Sequence, residues 1–99
     1  MQIAKVRGTV VSTQKLQSLT GVKLLMVQFI DEAGQVLPRY EVVADSVGAG
    51  LDEWVLISRR AIAPQPENDL RPIDAMVVGI IDTVTVENRR LYSKKDEYR

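Results

Sequence analysis

The sequence predicts a mainly β protein: a small five-stranded β-barrel with one short helix and a C-terminal hairpin. Three observations favour this fold class. Short segments rich in Val and Ile recur along the chain, turn residues separate them, and 99 residues are enough for one domain over residues 1–99.

The first strand is predicted over residues 3–11, where small or apolar side chains alternate with polar ones. Positions 4, 6, 8 and 10 are Ala, Val, Gly and Val, with Lys5, Arg7 and Thr9 between them. A period of two is typical of a strand that buries one face. The polar residues 12–21 then predict a loop.

The second predicted strand, residues 22–30, is apolar at nearly every position. A half-buried strand in a monomer would alternate, whereas a continuous apolar run needs cover on both faces. A chain of 99 residues has too little material to supply that cover. We therefore expect a neighbouring subunit to cover one face, and we assign Leu24 to the subunit interface.

Two further strands are predicted, separated by turn signals. A hairpin loop at 31–35 contains Gly34, which can adopt positive φ, and it leads into a strand at 36–44. Another strand, again apolar on both faces, is expected at 53–62. Residues 63–72 contain three of the four prolines and predict an exposed loop.

The segment 72–84 carries conflicting signals. Pro72 and Asp74 fit the first turn of a helix, whereas the β-branched pairs at 77–78 and 80–81 fit a buried strand. We expect a short helix that leads into a strand. A hairpin around 87–90 closes the chain, and five short strands favour a barrel of the oligonucleotide-binding type. This topology carries no function with it.

Composition argues against several classes of function. Lys and Arg number 13, as do Asp and Glu, whereas a nucleic-acid-binding protein needs a basic excess on some face. The absence of Cys and His removes thiol chemistry and the commonest general base and metal ligand. The start of the chain does not resemble a secretory signal, and no apolar run approaches the roughly 20 residues that span a bilayer. We expect a cytoplasmic protein that is not an enzyme and has no cofactor, metal site or membrane contact.

Gly48, Ala49 and Gly50 form the most distinctive turn. They lack the spacing and the following Lys of a phosphate-binding loop, and they lack the third glycine of a dinucleotide-binding fingerprint. Two interpretations remain open: a tight turn between strands, or a turn that lets several subunits approach closely on a pore or axis. We assign the three residues to that pore or axis turn.

Trp54 is the single tryptophan, and two interpretations remain open for it as well. Buried aromatic side chains stabilise cores and interfaces alike. We assign Trp54, with Leu24, to the subunit interface, and the core remains the alternative.

The charged residues give no catalytic pattern. The carboxylates Asp45, Asp52, Glu53, Asp74 and Asp82 show no spacing that indicates a catalytic pair. The basic doublets at 59–60, 89–90 and 94–95 are expected to be solvated, or to form a rim that contacts acidic neighbours.

Six segments, read in order, resemble one family over almost the whole chain: residues 2–13, 19–25, 39–42, 47–50, 53–56 and 71–84, the last reading Arg-Pro-Ile-Asp-Ala-Met-Val-Val-Gly-Ile-Ile-Asp-Thr-Val. They resemble the pentameric vertex proteins of bacterial microcompartment shells, in particular the carboxysome branch of cyanobacteria. The resemblance implies a five-stranded barrel assembled as a cyclic pentamer, with no catalytic activity.

The resemblance also implies a location and partners. The ring would lie at the vertices of a carboxysome shell that encloses ribulose bisphosphate carboxylase and carbonic anhydrase, and it would contact hexameric shell proteins. Hexagonal tiles alone make a flat layer, so pentagons are needed to close it. The alternative function is a barrel that binds single-stranded nucleic acid, which predicts a basic groove.

Overall fold

The computed structural model describes residues 1–13, 15–59 and 73–95. These residues form seven strands and a single-turn 3₁₀ helix at Gln17–Leu19. The strands are β1 Gln2–Val10, β2 Lys23–Ile30, β3 Val36–Asp45, β4 Trp54–Arg59, β5 Ala75–Ile80, β6 Thr83–Val86 and β7 Arg89–Ser93.

Five of the strands close into a barrel in the order β1-β2-β3-β5-β4. β3 and β5 pair in parallel, and the other neighbours, including β1 with β4, are antiparallel. The prediction of a five-stranded barrel of the oligonucleotide-binding type is therefore confirmed. Closure pairs both edges of every barrel strand, which removes the open edges on which other chains could add.

The predicted C-terminal hairpin is confirmed as a separate two-stranded sheet of β6 and β7. Its turn residues Glu87 and Asn88 have φ of 50° and 63°. Two successive residues at positive φ match the twist that connects adjacent antiparallel strands. In the preceding β2–β3 loop, Gly34 likewise has φ of 81°, as its position predicted.

The expectation of a short helix in the 72–84 segment is wrong for the described residues. Residues 73 and 74 have no helical structure, and Ala75–Ile80 is a strand that pairs with both β3 and β4. Local signals at Pro72 and Asp74 suggested a helix, but the barrel needs a fifth strand between β3 and β4. The β-branched pairs are the signal that proved correct.

The barrel interior holds the main core. Its largest fully buried side chains come from every barrel strand and are Val6, Leu25, Val27, Phe29, Val43, Val55, Ile57 and Val77. Ala4 and Val6 are buried while Lys5 and Arg7 are not, which confirms the alternation predicted for β1 as far as Val6. The prediction is wrong for Val10, because a register shift between Val6 and Gly8 moves Val10 to the outer face. The predicted residues 60–62 of the fourth strand and the predicted loop at 63–72 lie outside the described residues.

A second, smaller cluster attaches the hairpin to the barrel. It contains Ile30, Trp54, Ile81 and Tyr92. A lone two-stranded hairpin is marginally stable in water, so these contacts stabilise its position. Within the described ranges, no helix is long and apolar enough to cross a membrane.

Candidate assembly surfaces

Outward-facing side chains of β1, β2 and β3 form an apolar surface on one side of the barrel. Leu24 lies opposite Val10 on one side and Ala44 on the other. Met26, two residues along β2, lies opposite Val42. Residues directly opposite each other in antiparallel strands share a face of the sheet. We call this surface the outer apolar face: Val10, Leu24, Met26, Val42 and Ala44.

The outer apolar face is only partly covered by its own chain. Val42 is 41% exposed, and Val10, Leu24 and Met26 are half-buried. The intervening inward residue Leu25 is 1% exposed. β2 is therefore apolar on both faces, with one face in the core and the other at the surface, as expected for a strand whose outer face a further chain would cover.

Trp54, the second residue assigned to the subunit interface, packs mainly on its own chain. It is 7% exposed, and its ring stacks on Tyr92 with centroids 4.4 Å apart and planes at 18°. Offset stacking adds to the energy of burial. The structure thus shows a core contact for Trp54, whereas its part in an interface stays a prediction. Leu24 and Trp54 belong to different surfaces: one faces outward, the other supports the hairpin.

Gly48, Ala49 and Gly50 lie in the loop between β3 and β4, and Asp45 holds this loop in shape. The Asp45 carboxylate accepts backbone hydrogen bonds from Val47 (3.0 Å), Gly48 (3.1 Å) and Ala49 (2.9 Å). Its side chain is fully buried, and Lys23 Nζ lies 3.3 Å away. Three amide donors and a cation satisfy a buried charge that would otherwise be costly.

Gly48, Ala49 and Gly50 differ in their environments. Gly48 has φ of 82° and open space around it, so backbone conformation alone requires glycine there. Ala49 is buried in the main core, whereas Gly48 and Gly50 are exposed. The open space beside Gly48 is compatible with close approach of a neighbouring chain. Its role on a pore or axis stays a prediction.

Glu53 fixes the other end of the 45–53 loop. Its Oε1 accepts a hydrogen bond from the Gly50 amide at 2.5 Å, and its Oε2 lies 2.9 Å from Lys94 Nζ. Burial alone would raise the pKa of Glu53, and the charge of Asp45 acts in the same direction. Hydrogen bonds from Lys94 and Gly50, with the charge of Lys94, outweigh both and hold the pKa below its ordinary value of 4.5.

Because the folded state favours the Glu53 carboxylate, this interaction stabilises the protein above pH 4.5 and is lost as the pH falls through the lowered pKa. We expect the urea midpoint of the native protein to fall on acidification below that value, and Glu53→Gln to remove part of this dependence. Glu32→Gln, at an exposed loop position, is the matched control and should retain the native profile. An unchanged acid profile for Glu53→Gln would contradict the assigned role.

The interpretation of the 59–60 doublet as solvated is wrong for Arg59. Its guanidinium forms a two-pronged ion pair with Glu41 and a 2.9 Å hydrogen bond to Gln2 Oε1. The guanidinium of Arg39 lies 4.4 Å from the centre of the Phe29 ring. Paired and stacked cations of this kind cover the end of a barrel that would otherwise expose apolar groups.

Sequence reasoning missed the structural roles of Asp45 and Tyr92. An Asp whose carboxylate accepts hydrogen bonds from the amides two and three residues later is typical of a turn. Asp45, with the amides of Val47 and Gly48, fits this pattern, so a local signal existed. The stack of Tyr92 on Trp54 joins residues 38 apart, and no local pattern predicts it. No cluster of three or more potential metal ligands occurs in the ranges the structure describes.

Comparison with known proteins gives a consistent result. A sequence model of the family described as ethanolamine utilisation protein EutN/carboxysome matches residues 1–82. The chain is 67% identical over 100 residues to the carboxysome shell vertex protein CcmL of Gloeobacter violaceus, covering 100% of both chains. The rival prediction of a nucleic-acid-binding barrel receives no support from these comparisons.

Solved structures agree with the sequence comparison. The structure of Gloeobacter violaceus CcmL superimposes with a TM-score of 0.89 at 67% identity, covering 97% of this chain and 100% of that one. The pentameric microcompartment shell protein GrpN of Rhodospirillum rubrum superimposes with a TM-score of 0.78 at 45% identity, covering 87% and 99%. The barrel and its hairpin are thus similar to those of known shell proteins.

Proposed function

The chain belongs to the EutN/CcmL family, and on that basis we propose that it forms homopentamers that occupy the vertices of the carboxysome shell and close it. The mechanism is geometric. A flat layer of hexagonal tiles needs pentagons to gain curvature, and residues 1–99 would supply one fifth of each pentagon. This role supports carbon fixation by completing the compartment in the cytoplasm.

The outer apolar face carries this proposal. In a cyclic ring each contact joins one patch of a subunit to a different patch of the next. Val10, Leu24, Met26 and Val42 give one side of the barrel the apolar character of such a patch. The similarity to a pentameric shell protein supports a ring of five as the assembly that covers it.

The 45–53 loop is the proposed axis element. Asp45 and Glu53 bind four of its backbone amides, so its shape is fixed before assembly. A preordered loop loses little conformational entropy when neighbouring copies pack against it. Gly48 is exposed, and nothing lies within 4 Å of where a Cβ would stand, so it is the position proposed to face the axis.

We further infer that the ring contacts hexameric carboxysome shell proteins and acts without enzyme activity or a cofactor. Shape and rim contacts would determine where the ring docks, and charge complementarity there would determine orientation more than affinity. A function in nucleic-acid binding is not proposed, because no observation on the described residues favours it.

Native mass spectrometry at near-physiological salt tests the ring directly. We expect a dominant species of five 11.1 kDa chains. Electron microscopy of a mixture with a hexameric shell protein then tests the vertex role. Closed polyhedral shells should form with the pentamer present, and open sheets or tubes without it. A monomer at micromolar concentration, or shells that close equally well without this protein, would contradict the proposal.

A further inference from the structure

A concave pocket lies at the base of the β6–β7 hairpin, and none of its lining residues belongs to the outer apolar face. Its volume is ≈ 370 Å³, and it is lined by Asp82, Thr83, Arg90, Ser93, Lys94 and Lys95. We call it the hairpin-base pocket. Apart from the rim contact considered for the basic doublets at 89–90 and 94–95, the proposed vertex role assigns this pocket no ligand.

Backbone pairing fixes the walls of the hairpin-base pocket. Thr83 lies opposite Ser93 in the hairpin register, and the Lys94 amide donates a 2.8 Å hydrogen bond to the Asp82 carbonyl. The Lys94 side chain is held by Glu53 at 2.9 Å. These contacts position the Thr83–Ser93 pair and Lys94 before any ligand binds, which lowers part of the entropic cost of binding. The side chains of Arg90 and Lys95 would be ordered by the ligand.

The chemistry of the pocket suits an oxyanion. Arg90, Lys94 and Lys95 outnumber the carboxylates of Asp82 and Glu53. Arg90 and Lys95 are exposed, and among the residues that the structure describes no hydrogen bond or ion pair holds either side chain. Guanidinium and ammonium groups beside hydroxyls form the donor set that binds phosphate oxygens.

We propose that the hairpin-base pocket binds a phosphate group, either free or as the ester of a small polyol. Arg90 and Lys95 supply the main charge-assisted hydrogen bonds, and the hydroxyls of Thr83 and Ser93 add neutral donors. Asp82 can accept hydrogen bonds from the hydroxyls of a polyol, so an ester would use the pocket more fully than inorganic phosphate.

Amide chemical shifts of the ¹⁵N-labelled, assembled protein test the proposal. Inorganic phosphate, glycerol 1-phosphate and neutral glycerol would be titrated separately at constant ionic strength. We expect saturable shifts confined to residues 82–83, 90 and 93–95 with both phosphates, and none with glycerol. Tighter binding of the ester than of inorganic phosphate, a preference lost in Asp82→Ala, would indicate a polyol phosphate. Equal binding of both would indicate free phosphate.

Matched variants distinguish a specific phosphate site from nonspecific attraction of phosphate to positive charge. Arg90→Gln and Lys95→Gln should each weaken binding about tenfold, as expected for loss of one charge-assisted hydrogen bond. Arg89→Gln is the control, because Arg89 is adjacent and exposed but lines a different concavity with Glu32 and Leu91. Shifts that do not saturate, or equal weakening by Arg89→Gln, would overturn the proposal. Native mass spectrometry of the same variants reports the ring independently.

Discussion

Leu24→Asp is expected to convert the ring of five into monomers. Leu24 is half-buried at the centre of the outer apolar face, directly between Val10 and Ala44. On assembly, the introduced carboxylate would be transferred from water into a contact lined by aliphatic groups, which costs several kcal/mol. Each 1.4 kcal/mol weakens a contact about tenfold, and a cyclic ring repeats the loss at every contact.

The same substitution should leave the barrel folded. Leu24 points away from the interior, where Leu25 and Val27 occupy the core side of β2. The far-ultraviolet circular dichroism of Leu24→Asp should therefore retain its β-sheet spectrum, while native mass spectrometry detects monomers. Thr85→Asp, an exposed position on the hairpin, introduces the same charge elsewhere and should remain pentameric. A fully pentameric Leu24→Asp would show that the outer apolar face is not the contact between copies.

The contrast between β2 and β5 shows what local sequence can predict. β2 was recognisable because the absence of alternation is a property of adjacent residues. That Leu24 rather than Leu25 faces outward follows only from the register with β1 and β3. β5 was assigned partly to a helix because Pro72 and Asp74 are local helix signals. What determines its conformation is pairing with β3 and β4, which no window of a few residues contains.

The residues of the candidate assembly surfaces show the same division between features that local sequence predicts and features that depend on distant residues. The turn at Gly48–Gly50 was predictable from its glycines, and Asp45 carries a local turn signature. The ion pair that fixes Glu53 comes from Lys94, which lies four strands further along the chain. Trp54 could not be placed from sequence because a buried aromatic residue stabilises a core and an interface by the same physical effects.

Trp54→Ala is expected to destabilise the protein by about 3–5 kcal/mol, the usual cost of truncating a buried aromatic residue. Total stabilities are about 5–15 kcal/mol, so the loss would be a large fraction. The variant removes the ring that stacks on Tyr92 and packs in the cluster with Ile30 and Ile81. Since this cluster attaches the hairpin to the barrel, amide hydrogen exchange should rise first in β6 and β7.

Measuring Trp54→Ala both in the native ring and in the Leu24→Asp monomer decides whether Trp54 acts in the core or between subunits. If Trp54 acts in the core, Trp54→Ala lowers the urea midpoint by a similar amount in the native ring and in the Leu24→Asp monomer. If Trp54 acts between copies, Trp54→Ala lowers the urea midpoint only in the native ring and leaves that of the monomer unchanged. Trp54→Phe is the matched control, because it retains an aromatic ring against Tyr92 and should recover most of the stability. Since Trp54 is only 7% exposed within its own chain, we expect the urea midpoint to fall in both backgrounds.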